Sequence, residues 1–103
     1  MADKVIDMFD DFQKRMAEIP SLVQQTALNI QDTAKRDAPI DEGRLRNSIT
    51  ATGSGAEAEV STDVEYARHQ EFGTYKMAAQ PFLMPAFEYH SERLVRAIKK
   101  ILQ

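Results

Sequence analysis

The chain contains no cysteine and no tryptophan. Disulfides, thiol nucleophiles and cysteine-held zinc are excluded, and cysteine usage says nothing about the redox compartment. Glycine and proline number four each in 103 residues, far from collagen-like or low-complexity composition. Long apolar runs are also missing. The longest, Phe82 to Phe87, includes Pro85, whereas a bilayer span needs about 20 residues, so no membrane partner is expected. An excess of basic charge is missing as well: 13 Lys and Arg stand against 16 Asp and Glu, a net charge of −3. A dedicated DNA-binding domain usually carries the opposite balance, because phosphate contacts dominate its affinity. The first residues hold Asp3, Asp7, Asp10 and Asp11, unlike the start of a signal peptide.

What remains is an ordinary globular composition, 43% hydrophobic and 28% charged, of a length that suits one domain over 1–103. Val5, Met8, Phe9, Phe12, Met16 and Ile19 recur at spacings of three and four. They predict an amphipathic N-terminal helix over 1–19, which could stand as an arm. Asp11 and Arg15 form an i,i+4 pair on it. Pro20 interrupts the pattern. Ser21 and Gln24 read as a capping box that opens a second helix, with Leu22, Val23, Ala27, Ile30 and Ala34 as its apolar stripe and Asp32–Arg36 as a second i,i+4 pair. Pro39 pushes Ala38 out of helical geometry and ends that helix.

Pro39 to Gly43 is a turn by its chemistry, and Arg44 to Asn47 suits one helical turn. Ser48 to Thr52 and Ala56 to Thr62 read as two strands around a Gly53-Ser54-Gly55 reversal, a hairpin over 48–62 with a thin apolar face. Asp63 is placed to cap a short helix over 64–72, ended by Gly73. A short strand is expected near 75–80. Pro81 to Ala86 leads rigidly into a last helix over 85–102, with Phe87, Leu94, Ile98 and Ile101 on its apolar side. The Phe82, Met84 and Phe87 cluster reads as core. The fold class is therefore α+β, a small antiparallel sheet flanked by helices.

Signals for chemistry are sparse. His69 and His90 lack the spacing of a helical metal pair. No glycine-rich phosphate loop occurs. Ser48, His69 and Asp63 could be named as a nucleophilic triple, but nothing in their spacing selects them. No catalytic residue, metal or cofactor is expected. The last helix carries Arg93, Arg96, Lys99 and Lys100 against Glu92. Cations there complement the helix dipole. They also leave open an alternative, a small regulatory nucleic-acid-binding module that uses this basic helix.

Three short motifs occur in a telling order. The first is Ala34-Lys35-Arg36-Asp37-Ala38-Pro39-Ile40-Asp41-Glu42-Gly43-Arg44-Leu45-Arg46-Asn47-Ser48-Ile49. The second is Glu65-Tyr66-Ala67 followed by Glu71-Phe72-Gly73-Thr74. The third is Pro81-Phe82-Leu83-Met84-Pro85-Ala86. The set resembles the small tail-component, or tail-completion, family of long-tailed bacteriophages and prophages, over about residues 22–103.

The resemblance implies a structural virion protein of the head–tail junction, assembled in the bacterial host cytoplasm. It implies a ring, hexameric in related neck proteins, around the DNA channel. Its partners would be further copies of itself, the head connector or stopper, and the tail-tube protein, with DNA passing without sequence specificity. No activity or cofactor comes with it. The residues expected at assembly interfaces are Ile49, Val60, Tyr66, Glu71, Phe72, Gly73, Thr74, Tyr75 and Lys76. Pro39, Gly43, Leu45, Pro81, Phe82 and Pro85 are expected to be structural anchors. A mildly acidic chain suits a channel through which DNA slides without sticking.

Overall fold

The computed structural model describes residues 2–38, 43–74 and 78–103. The elements run α1 (Ala2–Met16), α2 (Ile19–Asp37), α3 (Arg44–Ser48), β1 (Thr50–Ser54), β2 (Glu57–Ser61), α4 (Ala67–Phe72) and α5 (Leu83–Leu102). The class is α+β.

The break between the first two helices falls before Pro20. Ala17 donates to the Gln13 carbonyl and Glu18 to that of Arg15, and the chain then turns into α2 with Pro20 in its first turn. A proline there has no intrahelical N–H to lose. The expected capping box does not form. Glu18 takes the N-cap position without a side-chain bond. Gln24 instead reaches the hairpin, where its side-chain amide donates to the carbonyls of Gly55 and Glu57 at 2.9 and 2.8 Å. Asp11 and Arg15 pair at 3.2 Å. Arg36 pairs with its neighbour Asp37 rather than with Asp32. Ala38 adopts ψ of 140° just before Pro39, as a residue preceding proline should.

Gly43 opens α3 with φ of 77°. Ser48 was expected to open a strand, yet it closes α3. Its hydroxyl donates to the Leu45 carbonyl and also bonds the Thr62 hydroxyl. The hairpin is correspondingly shorter than 48–62. Its strands pair antiparallel from Thr50 opposite Ser61 to Ser54 opposite Glu57. Gly55, with φ of 60°, takes the first central position of the two-residue turn, where positive φ is required. Gly53 has φ of 146°, and a Cβ there would collide with the Glu57 carbonyl and lie 2.6 Å from the Ala58 Cα.

The short fourth helix begins at Ala67, not 64, and Asp63 does not cap it. The Thr62 hydroxyl instead accepts from the Val64 N–H. Of the strand expected near 75–80, residues 75–77 lie outside the described residues, and 78–80 form no strand. The Gln80 N–H bonds the Gln70 carbonyl at 2.7 Å. The last helix starts at Leu83, so Pro85 sits in its first turn.

One cluster of buried residues joins α2, α3, α4 and α5: Ile30 and Ala34, Leu45 and Ile49, Val64 and Ala67, Phe82 and Ala86. Alanines at Ala27, Ala34, Ala38 and Ala86 let α2 and α5 approach closely, while Phe82 and Ile49, each 1% exposed, supply the bulk. Met84 and Phe87 depart from expectation. They lie outside the core, with Phe87 50% exposed. The inward line of α5 runs Phe82 to Ala86, four residues apart, and helical spacing turns positions 84 and 87 away from it. The molecule is long, 69 × 20 × 18 Å, with a radius of gyration of 18.5 Å, against about 13 Å for a compact chain of this size.

Candidate functional site

The chemistry-bearing side chains do not converge. Among the described residues no three His, Asp or Glu side chains come together as a metal site. His90 Nε2 bonds the Thr33 hydroxyl at 2.8 Å, and His69 is exposed on α4. No helix among the described residues is long and apolar enough to cross a membrane. What the fold displays instead is surface that it does not itself cover.

The first such surface is the outer edge of β2. In an antiparallel ladder, paired residues alternate between exchanging hydrogen bonds and pointing their peptide groups outward. The tight turn makes Ser54 and Glu57 a bonded pair, so Ala51–Val60 and Gly53–Ala58 point outward. Ala51 obeys this, since its N–H leaves the sheet and meets Gln31 Oε1 of α2 at 2.6 Å. On the other strand, the outward N–H and C=O groups of Ala58 and Val60 engage no partner among the described residues. That open edge borders an apolar groove of about 420 Å³ between β2 and α5, lined by Val60, Ile30, Leu83, Met84, Phe87 and Leu94 among others.

A second groove, about 590 Å³, lies around α4 and the start of α5 and includes Phe72, Phe82 and Met84. Met84 lines both grooves. Apolar surface therefore runs from Phe72, 71% exposed, past Met84 to Phe87 and the β2 edge.

Between these surfaces sits a rigid joint. Glu71 is buried on α4, and its carboxylate accepts from three successive backbone N–H groups, those of Phe82, Leu83 and Met84, at 3.2, 2.9 and 3.0 Å. A helix start leaves such N–H groups without intrahelical partners, and a negative charge there also complements the helix dipole. Glu71 thus caps α5 from another helix and fixes how α5 leaves the body.

The residues singled out from the sequence fall into separate places. Val60 lies on the open edge and Phe72 on the exposed apolar run. Tyr66 is half-buried, with the Arg44 guanidinium 5.9 Å from its ring centre. Gly73 ends α4 with φ of 76°, and Thr74 is exposed just beyond it. Ile49 and Glu71 face inward. Tyr75, Lys76 and Pro39 lie outside the described residues. Of the other anchors, Gly43 and Leu45 hold α3, Phe82 is buried, and Pro81 and Pro85 are exposed on either side of it. Sequence reasoning missed Gln24, Gln31 and the exposed faces of Met84 and Phe87. Gln31 carries no local pattern, and the local pattern of Gln24 pointed to a capping box instead of the hairpin it bonds. For Met84 and Phe87, their helical phase relative to Phe82 and Ala86 was an available signal.

A family model described as "Bacteriophage HK97-gp10, putative tail-component" matches residues 3–73. The match takes in α1 through α4 and the hairpin. Neither a curated protein nor a solved structure matches the chain.

Proposed function

Because the chain belongs to the HK97-gp10-like family of phage tail components, and so is a structural tail protein of the virion, we propose that it acts at the head–tail junction. In this reading copies of the chain assemble into a ring. The ring completes the tail tube, presents a surface to the head connector and leaves a channel for DNA. Its work is geometric.

The observation that carries this reading is the open edge of β2. A two-stranded sheet is marginal alone. Here α2 braces β1 at Ala51 through Gln31, and the turn and first residue of β2 through Gln24, while Ala58 and Val60 of β2 offer unpaired peptide groups beside an apolar groove. Strand addition to such an edge is a common mode of assembly, in which main-chain bonds give affinity and pockets for alternate side chains give register. An extended segment of a neighbouring subunit would satisfy Ala58 and Val60 and cover Met84 and Phe87. The acidic balance of the chain favours passage of DNA over its capture.

Val60→Asp tests the reading. It places a charge on the edge at a residue half-buried against the core cluster, so the exposed edge change Ala58→Asp is made beside it to separate lost assembly from lost folding. The expected result is a variant that folds yet assembles poorly, measured by mass in solution and by the yield of joined heads and tails. A wild-type chain that stays monomeric at high concentration and binds DNA tightly, with a steep salt dependence, would instead support the nucleic-acid-binding alternative.

A further inference from the structure

The α1 helix carries an apolar stripe that its own chain leaves uncovered. Met8 is 73% exposed, Phe12 51%, and Met16 is exposed as well. The three recur every fourth residue and span about 12 Å at 1.5 Å per residue. Exposure falls toward Met16, the end at which the Arg15 guanidinium donates to the Gln103 carbonyl at 2.8 Å. A 15-residue helix is marginal in water without packing, so the stripe has most to gain from a partner.

A complementary surface lies elsewhere on the same chain. A groove of about 430 Å³ between α2 and α5 is lined by Leu22, Leu94 and Ala97 and by the cationic Arg93, Arg96 and Lys100, and none of the described α1 side chains lines it. From Arg93 to Leu102 the sequence has four cations and no carboxylate, whereas residues 2–13 have four aspartates and one lysine. From His90 to Lys100 the groove runs about 15 Å along α5, enough for the stripe.

We infer that α1 is an exchanged arm, seated in the α2–α5 groove of a second copy of this chain. Its methionines and Phe12 meet Leu22, Leu94 and Ala97, and the net negative charge of residues 2–13 sits in the field of Arg93, Arg96 and Lys100, with Asp11 the aspartate nearest the stripe. Net charge selects the groove over pairing between two α1 helices, which would set one acidic helix against another and leave Arg93 and Lys100 unmatched, Arg96 being paired with Glu92 at 3.7 Å. The turn at Ala17 and Glu18, ahead of Pro20, lets the arm leave its own body without breaking α2. The inference rests on the reading of the chain as a self-assembling tail protein and adds which surfaces meet.

The chain's lack of cysteine makes the test direct. Chains carrying Met8→Cys are mixed with chains carrying Gln25→Cys, which lies exposed at the groove, and oxidised gently. The expected product is the mixed disulfide, with little linking within either population alone. Adding Arg93→Glu and Lys100→Glu to the Gln25→Cys chain lowers its yield about tenfold, since like charges across an interface are strongly disfavoured. Met8→Cys chains that link chiefly to each other would overturn the groove assignment. Absence of the mixed product while the wild type assembles would overturn the arm and leave the ring. A mixed product whose mass stops at two chains would uphold the arm and remove the ring.

Discussion

The two ends of α5 sit in opposite surroundings. At its start, three N–H groups converge on the buried carboxylate of Glu71, and Phe82 fills the core. At its finish, Leu102 is exposed, the terminal carbonyl meets a surface arginine, and the adjoining α1 turns an apolar stripe to solvent. At the first end the joint itself is closed within one chain, although Met84 and Phe87 beside it stay exposed, whereas the second end has no such joint and leaves the α1 stripe open. The contrast separates residues that hold the subunit together from residues available for joining subunits. Substitutions at the two ends should therefore fail in different assays.

The largest effect is expected at Phe82. Phe82→Ala empties the centre of the buried cluster and should cost about 3–5 kcal/mol, out of about 5–15 kcal/mol for a small domain. Thermal melting of the free subunit measures it, and loss of joined particles should follow from that instability. If the variant melts like the wild type yet still fails to join heads and tails, Phe82 contacts a partner and the contrast breaks down.

Glu71→Ala comes next. It strands the N–H of Phe82 in a buried place and exposes two more to imperfect solvation, an expected loss of about 1–3 kcal/mol. Glu71→Gln keeps an acceptor and should lose less. Urea titration of both variants ranks them, and equal losses would mean that the charge matters more than the bond count. Gly53→Ala should destabilise the hairpin by about 1–3 kcal/mol, because the backbone there has φ of 146°, a conformation costly for a residue with a side chain. Amide exchange at Thr52 and Glu59, the next hydrogen-bonded pair of the ladder, would report it locally. The smallest effect on stability is expected at the other end of the comparison. Phe12→Ser should move the stability of the free subunit by no more than about 0.5 kcal/mol, as surface changes usually do, while reducing assembly. A large loss of stability would show that α1 belongs to the body after all.

Sequence patterns carried the local part of this architecture well. Apolar spacing located all three long helices, proline and glycine marked the breaks, and alternation with Gly53-Ser54-Gly55 found the hairpin. The boundaries that moved did so for tertiary reasons. Ser48 stayed in α3 because Thr62 offered its hydroxyl a partner. Gln24 left its expected capping role because the hairpin turn lay within reach. The buried role of Glu71 could not be read locally, since its acceptor atoms serve residues 11 to 13 positions further along. Met84 and Phe87 were misjudged for another reason: a hydrophobic cluster in sequence is not one face of a helix, and only their phase relative to Ala86 separates them from Phe82.

The brace from Gln31 to Ala51 has a consequence for how far assembly can run. Exposed strand edges are dangerous because pairing at one edge can leave another to recruit the next chain, the route to fibres. In this hairpin a helix side chain already occupies a peptide group on the β1 edge, while β2 remains open. The sheet can therefore accept a strand but is poorly built to pass the interaction on. It behaves as an end-stop rather than a relay, a property that suits the proposed closed ring.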